Sequence, residues 1–291
     1  MVELGRFGVW SGAFRGGDRD AGAAAAAELE KLGYGAIWVP GGGGGDVFGA
    51  MRTVLDATER VAVASGILNI WAHTPEETAR GCDGIERAHP GRFLLGLGVS
   101  HQLMVDADEP GRYRRPVEKT RSYLDALDAA NPPVPRDTRV LAALGPRMLE
   151  LARDRTAGAH PYNVSPEHTA RAREILGAGP LLAPEQGVIL ERDPSRAREL
   201  ARESLAIYLR LPNYVNNWMR LGFTEDDVAG DRMSDRLVDA IVAWGSPSDV
   251  ARRVREHVDA GADHVCVQFL TGSRPGLPRD QWRELADELR A

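Results

Sequence analysis

Short apolar runs alternate with amphipathic stretches along the whole chain, and the period of the pattern switches between two and about 3.6. The apolar runs predict strands at Phe7–Trp10, Ala36–Val39, Val61–Ile70, Phe93–Val99, Val140–Leu144, Gly158–Pro161, Gly187–Leu190 and His264–Phe269. The amphipathic stretches predict helices at Asp20–Leu32, Asp46–Thr58, Pro75–Ala88, Pro116–Ala130, Pro146–Arg155, Pro166–Leu176, Pro194–Leu211 and Arg279–Arg290. Strands alternating one for one with helices predict an α/β fold, a (β/α)8 TIM barrel, as one domain over residues 1–291. Helix starts carry their own signals. Thr74-Pro75-Glu76-Glu77 has a capping threonine, a proline in the first turn and a glutamate three residues after the cap. Ser165-Pro166, Asp193-Pro194 and Ser246-Pro247-Ser248-Asp249 repeat the device. Pro212–Trp244 exceeds what one strand-helix unit needs. It predicts an insertion between the seventh and eighth strands, with a helix over Asp235–Ala243 and with Asn213, Tyr214 and Trp218 near the barrel mouth or a subunit contact.

The fourth strand is the most informative. Phe93 to Val99 is apolar on both faces, as a strand buried in a parallel sheet must be, and it runs into Gly98, Ser100 and His101. Parallel-sheet enzymes place their chemistry at the carboxyl ends of the strands. The other predicted strand ends bring Trp10, Pro40 with the glycine run 41–45, Gly66, Ile67 and Asn69 with Trp71, Gly145-Pro146-Arg147, and His160 with Tyr162.

Composition narrows the function. The chain has 291 residues, 43% of them hydrophobic, with a net charge of −6, so it can fill a large core and carries no basic surface for nucleic acid. Cys82 and Cys266 lie far apart, which predicts free thiols in a cytoplasmic protein. Glu3, Gly5 and Arg6 interrupt any secretory leader, and no apolar stretch reaches membrane-span length. The histidines and carboxylates show no metal-ligand spacing.

Each candidate residue has two readings. Gly145-Pro146-Arg147 opens a helix after a strand, so the free N–H groups of Gly145, Arg147 and Met148 either hold a phosphate or form an ordinary strand-to-helix turn. The glycine run 41–45 lacks the lysine and hydroxyl of a P-loop and reads as a flexible loop. His101 is either a general acid or base or a mouth histidine bonded to a loop. His160, fixed in extended backbone by Pro161, is either a ligand contact or a satisfied core histidine. Trp10 and Trp71 either stack on a planar ring or fill the barrel top.

Taken together, six segments resemble the luciferase-like flavin and deazaflavin oxidoreductases, in particular their actinobacterial branch assigned to coenzyme F420. They are Gly35–Gly41, Gly66–Ala72, His89–His101, Ala142–Ala152, Gly158–Tyr162 and Gly261–Gln268, in the expected order along essentially the whole chain. The resemblance implies a barrel with its insertion after strand seven and a deazaflavin or isoalloxazine ring across the strand ends. A non-prolyl cis peptide is implied near Gly66–Ile67. Gly66, Ile67, Asn69, Gly98, Val99 and Ser100 would lie around the ring, and Leu144, Gly145, Pro146 and Arg147 would hold the phosphate. Trp10, Trp71, His160 and Tyr162 would face the substrate. Related sugar-phosphate dehydrogenases end strand four in a glutamate. Here His101 stands there, which sets aside their acid/base assignment and leaves His101 as the expected catalytic group. The implied activity is F420-dependent hydride transfer to or from a small organic substrate. The alternatives are a reduced-flavin (FMN) monooxygenase on the same barrel and a non-catalytic flavin or deazaflavin carrier. Family members often dimerise through their second and third helices, and here Val47, Phe48, Met51, Val54 and Leu55 offer an apolar stripe for a homodimer.

Overall fold

The apolar runs form one sheet of ten strands in which every pairing is parallel. The computed structural model describes residues 2–16, 18–42, 45–107, 109–230, 232–272 and 276–290; Gly43 and Gly44 of the glycine run lie outside them. The strands are β1 (Phe7–Trp10), β2 (Ala36–Gly41), β3 (Ala62–Asn69), β4 (Phe93–Gly98), β5 (Arg139–Leu141), β6 (Gly158–Ala159), β7 (Leu181–Leu182), β8 (Glu185–Ile189), β9 (Val242–Trp244) and β10 (Val265–Phe269). The sheet order is β7-β6-β5-β4-β3-β2-β1-β10-β8-β9. β7 and β8 are two halves of one strand, interrupted at Ala183-Pro184. The first half pairs with β6 and the second with β10, so the sheet closes on itself. Bonds from Ala183 N to Ala159 O (2.9 Å) and from Cys266 N to Pro184 O (3.0 Å) complete the seam. The result is a (β/α)8 barrel with β9 added outside β8.

The helices are α1 (Arg19–Lys31), α2 (Val47–Asp56), α3 (Pro75–Ala88), α4 (Gln102–Val105), α5 (Pro116–Ala129), α6 (Pro146–Arg155), α7 (Pro166–Leu176), α8 (Pro194–Leu205), α9 (Pro212–Arg220), α10 (Asp235–Ile241), α11 (Pro247–Asp259) and α12 (Arg279–Arg290). Thr74 and Ser246 close reciprocal capping boxes with Glu77 and Asp249, and Asp193 caps Arg196 N. Ser165 makes no side-chain cap, so its motif marks the helix start through Pro166 alone. Inside the barrel Ala36, Trp38, Ala62, Ala64, Leu94, Val140 and Cys266 fill the axis. Ile37, Val39, Val63 and Leu95 point outward beneath the helices. That division explains why β4 is buried along its whole length.

The insertion is larger than the pattern predicts. Pro194–Leu211 reads as the seventh barrel helix, but α11 packs against α7, α12, β8 and β10 and takes that place. His257 of α11 fixes it, bonded to Thr169 of α7 (2.8 Å) and Gln186 of β8 (2.8 Å). The segment from α8 to β9 is therefore the insertion, with its own core of Ala201, Leu205, Tyr214, Trp218, Leu237 and Ile241. The predicted helix Asp235–Ala243 stops at Ile241, because Val242–Trp244 pair with Gly187–Ile189 as β9. The seventh strand begins before Gly187, since the carboxyl of Glu185 within it hides the apolar run. Of the expected apolar stripe on α2, Val47, Met51, Val54 and Leu55 are buried within the chain itself, and Phe48 is half-buried against Phe93. Both cysteines are free and buried. Among the described residues no helix is long and apolar enough to cross a membrane.

Burial holds His160, His168 and His264 down to about 4 and His257 down to about 3, from an ordinary 6.5. Below 6.5 the unfolded chain takes up protons at these rings and the folded chain does not, so each contribution is lost as pH falls toward the folded value. Burial of Glu185 acts in the opposite sense, its carboxyl being pushed up to about 8. Four histidines outweigh one glutamate. Stability followed by urea unfolding therefore declines from pH 7 to pH 5, each histidine contributing up to about 1.4 kcal/mol per pH unit. A flat profile over that range would contradict the neutral burial of these rings.

Candidate active site

Parallel pairing puts the carboxyl ends of all eight barrel strands on one rim. There the ends of β1 to β6 border a cavity of about 650 Å³. β1 contributes Trp10, β3 contributes Gly66, Ile67 and Asn69, and β4 leads into Val99, Ser100 and His101 beyond Gly98. Ala142 to Gly145 follow β5, and His160 and Tyr162 follow β6. The insertion covers the opposite side with Ile207, Tyr208, Leu211, Asn213 and Tyr214. Of the fifteen residues expected to serve catalysis, cofactor or substrate, twelve meet here: Trp10, Gly66, Ile67, Asn69, Gly98, Val99, Ser100, His101, Leu144, Gly145, His160 and Tyr162.

Three do not line the cavity. Trp71 turns its indole to the carbonyl of Val99 (2.8 Å) and lies under Lys119 at 5.0 Å and Arg112 at 5.8 Å, so it braces the wall from behind. Pro146 and Arg147 belong to the first turn of α6, behind Gly145. The N–H of Met148 is taken by the carbonyl of Gly145 (3.1 Å), which removes one of the three donors expected there. No side chain caps this end of α6. The guanidinium of Arg220 stands 3.6 Å from where a Cβ on Gly145 would lie.

The floor is set by close approach. The Gly66–Ile67 peptide is cis. Trp10 Nε1 donates to Gly66 O (2.9 Å), and a Cβ on Gly66 would fall 2.5 Å from that nitrogen. A Cβ on Gly98 would fall 2.3 Å from Cδ1 of Ile67. Ser100 turns the chain out of β4 in the left-handed region (φ 56°), where a non-glycine residue is uncommon.

No Lys, Arg, Asp or Glu lines the cavity among the described residues. His160 Nδ1 donates to Ala183 O (2.7 Å) and its ring stacks on Trp38 at 4.0 Å. Its Nε2 is then a lone-pair acceptor, buried and without a partner, at the cavity wall. Burial also lowers the value of His101, while its bond to Asn213 raises it; the first prevails and the ring is neutral at neutral pH. Aromatic rings run in contact around the wall, from Trp10 to Tyr162 (5.7 Å), Tyr208 (5.9 Å), Tyr214 (4.8 Å) and His101 (5.5 Å). Tyr208 donates to Tyr162 (3.3 Å), which donates to Gln268 (2.6 Å). Beneath them Glu185 is fully buried, its Oε2 accepting from Asn163 N (3.0 Å). Tyr208, Arg220 and Glu185 escaped the sequence reading. Only Glu185 left a signal, as a carboxylate inside an otherwise apolar stretch.

The family profile of the luciferase-like monooxygenases matches residues 6–264. The chain belongs to the luciferase-like monooxygenase family. Within the family it is similar to a Mycobacterium tuberculosis protein named as a coenzyme F420-dependent oxidoreductase, at 25% identity; the match spans 68% of this chain and 54% of that protein. Two solved luciferase-like folds show the architecture alone. An F420-dependent secondary alcohol dehydrogenase in complex with an F420-acetone adduct superposes with a TM-score of 0.74 at 13% identity, over 99% of this chain and 100% of the other. The oxygenating constituent of 3,6-diketocamphane monooxygenase from Pseudomonas putida, in complex with FMN, gives 0.71 at 13% identity, over 99% and 98%.

Gly98→Ala tests the floor. Its methyl meets Ile67, and a repacked floor should lower stability by roughly 1–3 kcal/mol in urea unfolding. An unchanged midpoint would mean that Ile67 moves aside freely.

Proposed function

We propose that the chain is an oxidoreductase that binds coenzyme F420 at the strand ends and moves hydride to or from a small uncharged organic molecule, with His101 handling the proton. One observation carries this reading. A large cavity lined by no Lys, Arg, Asp or Glu among the described residues, and floored by Gly66, Ile67 and Gly98, has a neutral imidazole at its mouth. The residues present fit a deazaflavin. Gly66, Ile67, Asn69, Gly98, Val99 and Ser100 offer a flat, mainly apolar bed, and the unpartnered Nε2 of His160 accepts a hydrogen from a polar group laid on it. Gly145, at the uncapped start of α6 beside Arg220, suits the phosphate, with Leu144, Pro146 and Arg147 as its surroundings. When bound, the deazaflavin supplies a carbon that takes up or gives hydride and activates oxygen poorly.

The chain's own residues do the rest. The aromatic wall and the insertion exclude water and orient the substrate. Met104 and Ile207, 51% and 38% exposed, leave an apolar entrance suited to an uncharged molecule. His101 accepts a proton when a hydroxyl is oxidised and, once protonated, gives one back in the reverse direction. Trp10 and Tyr162 border the space left for the substrate, and Trp71 acts through Val99. The second reading is an FMN monooxygenase, favoured by the FMN complex on the same architecture.

Titrating the purified chain with oxidised F420 and with FMN, followed by fluorescence, separates the two. F420 should bind at least about tenfold more tightly, or roughly 1.4 kcal/mol. Tighter FMN, with oxygen consumed on adding a reductant, favours the monooxygenase, and binding of neither overturns both.

His101→Asn keeps a polar group that does not titrate. Cofactor affinity should persist while turnover falls roughly 10²–10⁴-fold. In the native chain, oxidation should rise as pH climbs through a value below 6.5, because the ring accepts only when neutral. Near-native turnover with an unshifted pH profile would remove His101 from the mechanism.

A further inference from the structure

His101 meets the insertion across the mouth of the cavity. Its Nδ1 lies 3.1 Å from Oδ1 of Asn213, in the first turn of α9. A carboxamide oxygen accepts and cannot donate, so the hydrogen in this contact belongs to Nδ1. A neutral imidazole carries one N–H, which leaves a bare lone pair on Nε2. Among the described residues nothing else bonds to this ring. Tyr214, the next residue, is buried and holds its ring 5.5 Å from the imidazole at 45°, with the edge of Tyr208 behind it at 4.8 Å. Two contacts thus hold the imidazole, one through Nδ1 and one from the tilted ring of Tyr214.

We propose that Asn213 is the positioning residue of this site: it holds His101 as the Nδ1–H tautomer and so presents a bare Nε2 as hydrogen-bond acceptor to an uncharged substrate that carries a donor, such as a hydroxyl. The proposal rests on the role given to His101 above. It makes the insertion part of the working site, since β4 brings the imidazole and α9 decides which nitrogen is free. The other titratable groups in the cavity are Tyr113, Tyr162, Tyr208, Tyr214 and His160. Burial raises the four tyrosines and lowers His160, so all five are neutral at neutral pH and none competes with Asn213 as a charged partner.

The test compares the native chain with Asn213→Ala and Asn213→Asp by ¹⁵N NMR of the imidazoles, the His101 signals being assigned by their absence in His101→Asn. The native chain should show His101 protonated on Nδ1 and bare on Nε2. In Asn213→Ala the tautomers should mix and the titration should move to lower pH, because the bond that raises it is gone. Turnover should drop about 10²-fold, as for a misplaced catalytic group, with KM little changed. Asn213→Asp keeps the acceptor and adds a negative charge, so it should restore the tautomer and move the titration and the acid limb of the pH profile upward. A native His101 protonated on Nε2, or one titration shared by all three chains, overturns the proposal. A tautomer that changes in Asn213→Ala while turnover stays native upholds the assignment of Asn213 and instead sinks the catalytic role of His101.

Discussion

The indole of Trp10 lies against the peptide of Gly66, and the side chain of Ile67 lies against Gly98. Neither contact leaves room for a Cβ at the glycine, so β1, β3 and β4 lock together at their carboxyl ends. Everything above this floor inherits its position. The flat bed lies on it, Val99 and Ser100 leave β4 from it, and His101 is carried to the mouth by the left-handed turn at Ser100. Dense interiors transmit small displacements. A shift at the floor would therefore be felt at the imidazole, although a chain turn separates them.

The second feature is electrical. Among the described residues no charged side chain lines a cavity of this size, which leaves a charged substrate without a counter-ion there, and a buried unpaired charge is costly. The nearby cations stay outside the lining: Arg220 stands beside Gly145, and Lys119 and Arg112 cover the back of Trp71. Among the described residues charge is thus confined to one end and to the outer wall, away from the space over the floor. The imidazoles inside follow the same rule, each held neutral by burial and each with one nitrogen fixed by an acceptor.

The barrel was legible because a parallel sheet covered on both faces leaves continuous apolar runs, and because proline-led helix starts punctuate them. The strand-end residues were legible for the same reason: topology alone brings them to one rim. The insertion was harder to read. α8 has the same amphipathic pattern as a barrel helix, and only packing shows that α11 holds that place. Tyr208 sits in a stretch whose apolar positions fit either assignment, so nothing local points to the cavity. Trp71 misleads for a different reason. An aromatic residue just past a strand suits a ring-stacking role, but its N–H finds the Val99 carbonyl and turns the indole away. The partner of His101 lies 112 residues away, and no spacing in a single sequence connects the two.

On the function proposed above, the floor at Gly66, Ile67 and Gly98 is the bed of a deazaflavin ring. A crystal structure of the chain with oxidised F420 tests it directly. The ring should lie across those three residues, with its phosphate toward Gly145 and Arg220 and with His101 Nε2 facing the open side. A ring bound away from this floor, or a phosphate at the opposite end of the cavity, would contradict it.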